Sequence, residues 1–315
     1  MIDTALDRSI AVGYGNLGLL VRRHLPGWPT DSARMDGKTV VVTGAGSGIG
    51  LATAEGFATL GATVHAVTRN DQRADQAVRE ICAAVPGADV RPVACDVSSL
   101  DELRKLGRIY EQQRIDVLVI NAGVMPEKRE HSVDGHELMF ATHVLAPFAL
   151  TSLLSNSLTR GAPARVINVS SGGMYAQGLH AEDLESEHSE YSAKRLYART
   201  KRQQVVITEL WAERLRDRGI FVHAMHPGWA DTPGVRESMP AFRSVIRAII
   251  RTPEQGADTI VWLGSAPAAL QSTGGFWHDR RARPTHYLGV AREDEQDRRR
   301  LWHYCQSILD ERLDS

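Results

Sequence analysis

The stretch KTVVVTGAGSGIG, residues 38–50, decides the fold of this chain. It reads as a short β-branched strand, a glycine-rich turn and the start of a helix at about Gly48. This order places backbone N–H groups and a helix N-terminus at the end of a strand, where they can face a pyrophosphate. A side chain at Gly44, Gly48 or Gly50 would obstruct that approach. A tight strand-to-helix turn also favours glycine, so the rest of the chain has to distinguish the two interpretations.

Short apolar runs alternate with longer helical patterns along the chain. The predicted strands after the first are ATVHAV, DVRPVAC, DVLVI, ARVINVS and IFVHAMH. Nearly continuous apolar strands separated by helices are typical of a parallel sheet covered on both faces. We therefore predict an α/β protein with a single doubly wound parallel sheet in three layers, α/β/α. No internal repeat or Pro/Gly linker indicates a second sheet domain.

The predicted sheet domain covers residues 38–290 and is flanked by two smaller segments. Residues 1–37 form an N-terminal extension whose apolar run, 10–21, has the length of a short amphipathic helix. Twelve residues are too few to cross a bilayer, and no cleavable leader is visible. We expect the extension to pack on the domain, with peripheral contact to a membrane or partner as the alternative. Residues 291–315 are predicted to form a solvated surface helix.

The composition is that of an ordinary globular protein, with 43% hydrophobic residues among 315. The 37 basic and 38 acidic residues nearly cancel, so no chain-wide charge favours nucleic acid or an anionic membrane. Three widely spaced cysteines argue against a disulfide framework and against a structural zinc site. We expect a cytoplasmic protein without a metal ion.

The spacing of the glycine turn carries more information than its glycine content. Thr43, Gly44, Gly48 and Gly50 form T-G-x-x-x-G-x-G, which resembles the short-chain dehydrogenase/reductase family. CDV (95–97), INAG (120–123) and HPGWADT (226–232), each after a predicted strand, are similar to later motifs of that family. The resemblance implies a Rossmann-type fold that binds a nicotinamide dinucleotide. The cofactor-binding residues that it implies are Gly44, Ser47, Gly48, Ile49, Gly50, Asp96, Val97, Asn121, Ala122, Gly123, Tyr197, Lys201, Pro227, Gly228 and Thr232.

The end of the second predicted strand indicates which dinucleotide is preferred. An NAD site places a carboxylate there for the ribose hydroxyls, whereas the 2′-phosphate of NADP favours arginine. This chain has Thr68 at the strand end and Arg69 next, and no acidic residue at either position. We therefore predict NADP(H) over NAD(H), bound through Arg69. The alternative is that Arg69 is merely solvated, since the glycine turn has Ser47 where a second cation would stand.

Two tyrosines in YSAKRLYARTK, residues 191–201, compete for the role of proton donor. Tyr197 and Lys201 are at i and i+4, so a helix places them on one face. They match the Y-x-x-x-K of the family, in which the ammonium makes the phenol more acidic than its ordinary pKa of about 10. Tyr191 has Arg195 at i+4 and would lie about 15 Å along the helix axis from Lys201. We predict Tyr197 as general acid/base and Lys201 as its partner, which also holds the nicotinamide ribose.

A hydride transfer also needs a group that fixes the substrate oxygen. The fifth predicted strand ends in RVINVSSGG, residues 165–173, with two adjacent serines that point in opposite directions. By resemblance Ser171 is the catalytic serine that hydrogen-bonds the substrate oxygen. Ser170 is then a structural hydroxyl that points away.

His143 departs from the family pattern. FATHVLAPF, residues 140–148, is similar to F-x-x-N-x-L-G-x-F, and His143 stands at the Asn position. In relatives that Asn supports a helix irregularity and a water leading to the lysine. A histidine here could act in a proton relay or could simply be packed. Ile120 likewise replaces the first Asn of the family's NNAG motif.

The resemblance implies an oxidoreductase that transfers a hydride between NADP(H) and a small-molecule carbonyl or alcohol. The departures at His143 and Ile120 motivate an alternative, a catalytically weak dinucleotide-binding regulatory protein with the same fold. Relatives are commonly dimers or tetramers, so a homodimer or homotetramer is expected. KRQQVVITELWA, residues 201–212, is similar to a narrower group within the family. Residues 233–252 are predicted to form a lid that closes the substrate pocket, with the apolar side chains Met239, Phe242, Val245 and Ile246. The alternative is that these side chains pack in the core as one face of an amphipathic helix.

Overall fold

A computed structural model of the chain describes residues 2–233, 236, 244, 246–287 and 293–313. Within that part of the chain the strands form one eight-stranded sheet with the order β3-β2-β1-β4-β5-β6-β7-β8. The strands are β1 (Thr39–Thr43), β2 (Thr63–Thr68), β3 (Val90–Ala94), β4 (Val117–Ile120), β5 (Ala164–Val169), β6 (Ile220–Met225), β7 (Phe276–His278) and β8 (Arg281–Arg283). β1 to β7 are parallel, which confirms the predicted doubly wound sheet.

Helices cover both faces of the sheet and extend beyond it at the N-terminus. They are α1 (Ile2–Arg8), α2 (Ile10–Gly13), α3 (Asn16–Arg23), α4 (Gly48–Thr59), α5 (Asp71–Ala84), α6 (Leu100–Tyr110), α7 (Leu138–Phe140), α8 (Ala146–Leu153), α9 (Ser155–Arg160), α10 (Ala193–Leu215), α11 (Pro253–Ser265) and α12 (Glu295–Leu313). A π-helical segment, Ala141–Leu145, joins α7 to α8. Alternation along β1 separates the two cores: Val41 packs with α6, α8, α10 and α12, whereas Val40 and Val42 pack with α4, α5 and α11.

The sequence indicated an entirely parallel sheet, but β8 is antiparallel to β7. The two strands are joined by Asp279 and Arg280, both with positive φ (50° and 54°), as a two-residue hairpin requires. Unlike a glycine, Asp279 has a Cβ atom, which disfavours a positive φ. Its buried carboxylate accepts hydrogen bonds from Arg22 Nη1 (2.5 Å) and Arg251 Nη1 (2.6 Å). These two ion pairs hold the turn in place.

The N-terminal extension packs on the domain as three short helices, and a buried charged group of α3 contacts the β7–β8 turn. α1, α2 and α3 are short, and the chain turns between them at Tyr14 and Gly15. Arg22 of α3 is fully buried and also donates from Nε to Asp3 of α1 at 3.0 Å. The Tyr14 carbonyl accepts a hydrogen bond from the backbone N–H of Trp229 at 2.9 Å. The extension is therefore in contact with the loop that follows β6.

The predicted C-terminal helix is present as α12, but it is only partly solvated. Leu301, Cys305 and Leu309 are buried in the same core as α6, α8 and α10. Trp302 packs its ring edge-on against the rings of Phe148 (4.8 Å) and Trp211 (4.7 Å). α12 thus completes one face of the domain.

Two further expectations concern segments beyond the sheet. None of the described helices is long and apolar enough to cross a membrane. In the predicted lid, Met239, Phe242 and Val245 lie outside the described residues, and Ile246 is buried.

Candidate functional site

The glycine turn after β1 packs tightly against the end of β4. Gly44 has a φ of +68°, and a Cβ on it would lie 2.9 Å from the Cα of Ala122. A Cβ on Gly50 would lie 2.1 Å from the carbonyl oxygen of Gly44. Asn121 fixes this contact, since its Nδ2 donates to Thr43 O at 3.1 Å and its backbone N–H donates to Thr43 Oγ1 at 3.0 Å. The turn therefore exposes backbone rather than side chains at the N-terminus of α4, which suits a bound pyrophosphate.

A cavity of about 430 Å³ lies along the carboxyl ends of the parallel strands. Most of the residues predicted to bind the cofactor line it: Gly44, Ser47, Gly48, Ile49, Gly50, Arg69, Asp96, Val97, Asn121, Ala122, Gly123, Tyr197, Lys201, Pro227 and Thr232. Ser171, His143 and Gly228 are not among the lining residues. The sequence analysis did not predict Gly46, Val67, Thr68, Arg73, Cys95, Ser98, Val124, Met125, Leu138, Thr142, Val169, Ser170 and Pro233, which also line the cavity. Motifs from six separate segments thus meet at one edge of the sheet.

Two arginines lie at the end of the cavity beside β2. Arg69 follows the strand, and Arg73 lies in the first turn of α5. Asn70 caps that helix by accepting a hydrogen bond from Arg73 N at 3.0 Å. Arg73 also approaches the glycine turn, since a Cβ on Gly46 would be 4.0 Å from its Cβ. Sequence reasoning missed Arg73, although its place in the first turn of the helix predicted after Asn70, close behind Arg69, could have drawn attention to it.

The Asp96 carboxylate is engaged within its own loop after β3. Its Oδ1 accepts hydrogen bonds from Ser98 N at 2.9 Å and from Ser98 Oγ at 2.7 Å. The backbone N–H of Asp96 donates to Glu102 of α6. These bonds fix the loop that carries Val97 at the wall of the cavity.

Tyr197 and Lys201 line the cavity beside β5, three strands along the sheet from the arginines at β2, and Ser171 follows β5 without lining the cavity. The Ser171 hydroxyl is near enough to the phenol of Tyr197 to lower its pKa. Lys201 Nζ lies 5.6 Å from the centroid of the Tyr197 ring. Burial raises the pKa of Tyr197, and the Ser171 hydroxyl offsets that rise only in part. The surroundings of Tyr197 in the protein alone therefore do not make its phenol more acidic.

Lys201 is buried and close to the point of losing its proton at neutral pH. Burial lowers its pKa to about 7, because the ammonium has little water around it. Its Nζ donates to Val169 O at the end of β5 (2.8 Å) and to Gln204 Oε1 (3.1 Å). Ser170 Oγ donates to the Lys201 carbonyl at 2.9 Å, which agrees with a structural hydroxyl, although Ser170 borders the cavity.

Tyr191 lies away from this group. Its hydroxyl donates to Pro126 O at 2.6 Å, and the Arg129 guanidinium lies 5.6 Å from its ring centroid. α10 begins only at Ala193, so Tyr191 precedes the helix that carries Lys201. Its hydrogen bond holds the loop after β4.

His143 is fully buried in the π-helical segment, next to Tyr197. Its Nε2 accepts the backbone N–H of Val124 at 3.0 Å, so the proton resides on Nδ1. Nδ1 donates to Thr200 Oγ1 at 2.9 Å, and the Thr200 hydroxyl donates to Tyr197 O at 3.0 Å. Burial and the nearby Lys201 ammonium hold the pKa of His143 well below its ordinary value. His143 is therefore a neutral bridge between the loop after β4 and α10.

The loop after β6 faces the cavity on one side and the N-terminal extension on the other. Pro227 and Thr232 line the cavity, whereas Gly228 packs against the Arg251 guanidinium. Arg251 Nη1 donates to Pro227 O at 3.1 Å. The ion pairs that hold Asp279 thus also fix this loop.

A glycine turn, a Tyr-x-x-x-Lys helix and a serine at the end of β5, combined on this sheet, define a class of NAD(P)-binding dehydrogenases and reductases. The chain belongs to the short-chain dehydrogenase family, whose family model matches residues 38–241. It is 43% identical over 261 residues to Bos taurus dehydrogenase/reductase SDR family member 12, covering 82% of this chain and 81% of that protein. This confirms the predicted likeness to a narrower group.

More distant relatives agree with this assignment. The chain is 32% identical to Mus musculus retinol dehydrogenase 13, covering 90% of this chain and 87% of that protein. A solved structure from Beutenbergia cavernae, described as an NAD(P)-dependent gluconate 5-dehydrogenase with NADP bound at low occupancy, is 25% identical with a TM-score of 0.63. That likeness covers 78% of this chain and 96% of the other. Family membership implies NAD(P) binding and dehydrogenase or reductase chemistry on a small molecule.

Proposed function

We propose that the protein is an NADP(H)-dependent oxidoreductase that interconverts a carbonyl and an alcohol, with Tyr197 as general acid/base. The observation that carries the proposal is the arrangement along one cavity. Two arginines lie beside β2, and Tyr197 and Lys201 lie beside β5, with Ser171 close enough to Tyr197 to affect its pKa. The glycine turn lines the cavity at the N-terminus of α4, where backbone N–H groups can face a pyrophosphate.

The three side chains have separate roles in the proposed reaction. NADPH, when bound, supplies the hydride. Ser171 donates a hydrogen bond to the substrate oxygen and so fixes the carbonyl beside the phenol. Tyr197 delivers its proton to that oxygen as negative charge develops there, and recovers it in the reverse direction. Lys201 places a positive charge near the phenol and so favours its ionised form.

The ammonium of Lys201 matters because burial alone raises the pKa of Tyr197. A phenol with a raised pKa is a weak proton donor at neutral pH. Bringing it from about 10 to about 7 requires roughly 4 kcal/mol of stabilisation of the phenolate. The buried Lys201 ammonium is close enough to the phenol to contribute to this stabilisation of the phenolate. The hydrogen-bond partners of Lys201 affect whether it is charged.

The preference for NADP(H) is supported by Arg69 and Arg73 together. Both side chains are exposed at the cavity edge beside β2, where a 2′-phosphate would lie in the family's binding mode. Two guanidinium groups can share the oxygens of one phosphate. The position at the strand end itself is Thr68, whose hydroxyl donates to Asn70 O at 2.9 Å.

Substitution of each tyrosine tests the proposed chemistry. Tyr197→Phe is expected to lower kcat by at least about 100-fold, because the proton donor is lost. NADPH affinity should change little. Tyr191→Phe is the matched control and should keep kcat within about threefold, since its hydroxyl only holds Pro126. Turnover is measured with a panel of aldehydes, ketones and quinones.

Two results would contradict the proposal. Equal activity of the Tyr197→Phe and wild-type proteins would remove Tyr197 from the reaction. NADPH binding without turnover of any substrate in the panel would favour the catalytically weak regulatory protein, for which His143 and Ile120 are the motivating departures. A homodimer or homotetramer in the cytoplasm belongs to the same proposal and is checked by light scattering and by localisation of the tagged chain.

A further inference from the structure

We propose that Gln204 is a positioning residue that holds the Lys201 ammonium beside Tyr197. This inference rests on the proposed function, because it gives Lys201 its place in the reaction. The Tyr-x-x-x-Lys motif does not contain Gln204, which lies three residues further along α10.

The geometry places Gln204 and Lys201 on the same inward face of the helix. A spacing of three residues makes them neighbours on one side of α10. Gln204 Oε1 accepts a hydrogen bond from Lys201 Nζ at 3.1 Å, and Val169 O accepts another at 2.8 Å. An ammonium has three N–H donors, so these two acceptors use two of them and orient the third. Gln204 is 1% exposed and Lys201 3%, so water does not substitute easily for the amide.

Further polar contacts hold the backbone of this helix turn. Thr208 Oγ1 donates to the Gln204 carbonyl at 2.8 Å, and Asn168 Nδ2 of β5 donates to Thr208 Oγ1 at 2.9 Å. Ser170 Oγ binds the Lys201 carbonyl. Polar groups in a buried interface are costly unless each has a partner. This chain of contacts ties the helix turn that carries Lys201 and Gln204 to the end of β5.

The amide oxygen favours the charged form of the lysine. Burial lowers the pKa of Lys201 to about 7, so small changes in its surroundings alter its charge at neutral pH. The titratable groups that face it are Tyr197 on its own helix and His143 on the π-helical segment. His143 is neutral, and the Tyr197 phenol is neutral until it reacts. Gln204 is therefore the side chain that supports the ammonium directly.

Direct titration of the lysine tests this inference in the full chain, with and without NADPH. The sequence has five lysines, Lys38, Lys105, Lys128, Lys194 and Lys201, so a 13Cε-lysine NMR spectrum can be assigned with Lys201→Met. Gln204→Met is expected to lower the pH at which Lys201 titrates by about one unit, as loss of one hydrogen bond to a charged group implies. Gln204→Glu should raise that pH, because a carboxylate stabilises the ammonium.

A neighbouring glutamine offers a matched control. Gln203 is equally buried, but its Nε2 donates to Leu184 O at 2.8 Å. Gln203→Met should leave the titration of Lys201 unchanged. Opposite shifts in the two Gln204 variants support the inference, since a merely structural role would not change sign. If Gln204→Met does not fold, Gln204→Glu against Gln203→Met still decides the matter.

The result that overturns the inference is a Lys201 titration that is the same, within about 0.2 pH units, in wild type and in whichever Gln204 variants fold. The NMR readout does not depend on turnover, so it separates this failure from a failure of the proposed function. In active protein, the pH dependence of kcat/KM should move in the same direction as the lysine titration in each variant. A shift in kcat/KM without a shift in the Lys201 titration would also contradict the role assigned to Gln204.

Discussion

His143 shows how a single departure from a family motif can be accommodated. The ring accepts the Val124 N–H and donates to Thr200, so both nitrogens are engaged by the protein. A proton relay would have to break one of these buried bonds. The sequence left two roles open for His143, packing and a proton relay. The geometry favours packing, and the relay stays an alternative to be tested.

Replacing this histidine should reduce stability more than it alters the chemistry. His143→Leu leaves the partly buried Val124 N–H without its acceptor, which costs about 1 kcal/mol. His143→Gln, which can still accept one bond, should lose less. Because burial holds the pKa of His143 well below its ordinary value, removing it should not add or remove a limb in the pH dependence of kcat/KM between pH 5 and 8. Urea denaturation measures the loss of stability, and pH-rate profiles measure the effect on the chemistry. A variant that loses a limb of the kcat/KM profile at unchanged stability would support the proton relay.

At the scale of elements, the N-terminal extension is joined to the domain by a buried charged group as well as by buried apolar side chains such as Leu19. Arg22 reaches from α3 to Asp279 in the β7–β8 turn, and Asp279 is also held by Arg251. Arg251 in turn binds Pro227 O in the loop beside the cavity. A change in the extension is therefore expected to reach the cofactor-binding side of the sheet.

Two adjacent arginines allow this coupling to be tested. Arg22→Met removes a fully buried guanidinium and should destabilise the protein by about 3–5 kcal/mol, because Asp279 loses a buried partner. Arg23→Met removes a half-exposed partner of Asp258 and should cost less than about 1 kcal/mol. Thermal unfolding and limited proteolysis of residues 2–24 provide the measurements. Similar losses in both variants would show that the buried group does not hold the extension.

At the scale of the whole molecule, the cofactor should stabilise the entire chain, since the cavity joins the ends of β1, β2, β3, β4, β5 and β6 with α10. A ligand present at 100 times its Kd adds about 2.7 kcal/mol to the free energy of unfolding. NADPH is expected to raise Tm more than NADH at equal concentration. The difference should largely disappear in the double variant Arg69→Ala, Arg73→Ala, because both cations near the 2′-phosphate are gone.

Arg79→Ala is the control for this experiment, since Arg79 lies on the same helix and is exposed, with its guanidinium bonded to Gln76 at 2.7 Å. It should retain the preference for NADPH. Equal Tm increases with NADH and NADPH in the wild-type protein would contradict the proposed cofactor preference.

Much of the fold was predictable because its signals are local. The β-branched runs and the glycine turn indicated β1 to β6, and the T-G-x-x-x-G-x-G spacing indicated the family. β7 and β8 were missed because three residues each are too short to show a strand period. The buried face of α12 was missed because its apolar residues are interrupted by charged ones, and only contact with Phe148 and Trp211 shows which face packs.

The sequence by itself determined the parallel strands β1 to β6 and the edge of the sheet at which the motifs meet, because strand pattern depends on neighbours along the chain. The choice of Tyr197 over Tyr191 stays a prediction from the sequence. Only the tertiary structure decided which buried polar groups are partners. It paired Arg22 with Asp279 across 257 residues, and it placed Gln204 rather than Gln203 on the lysine. Such pairs follow from the packing of distant elements and the burial of charge, which no local spacing records.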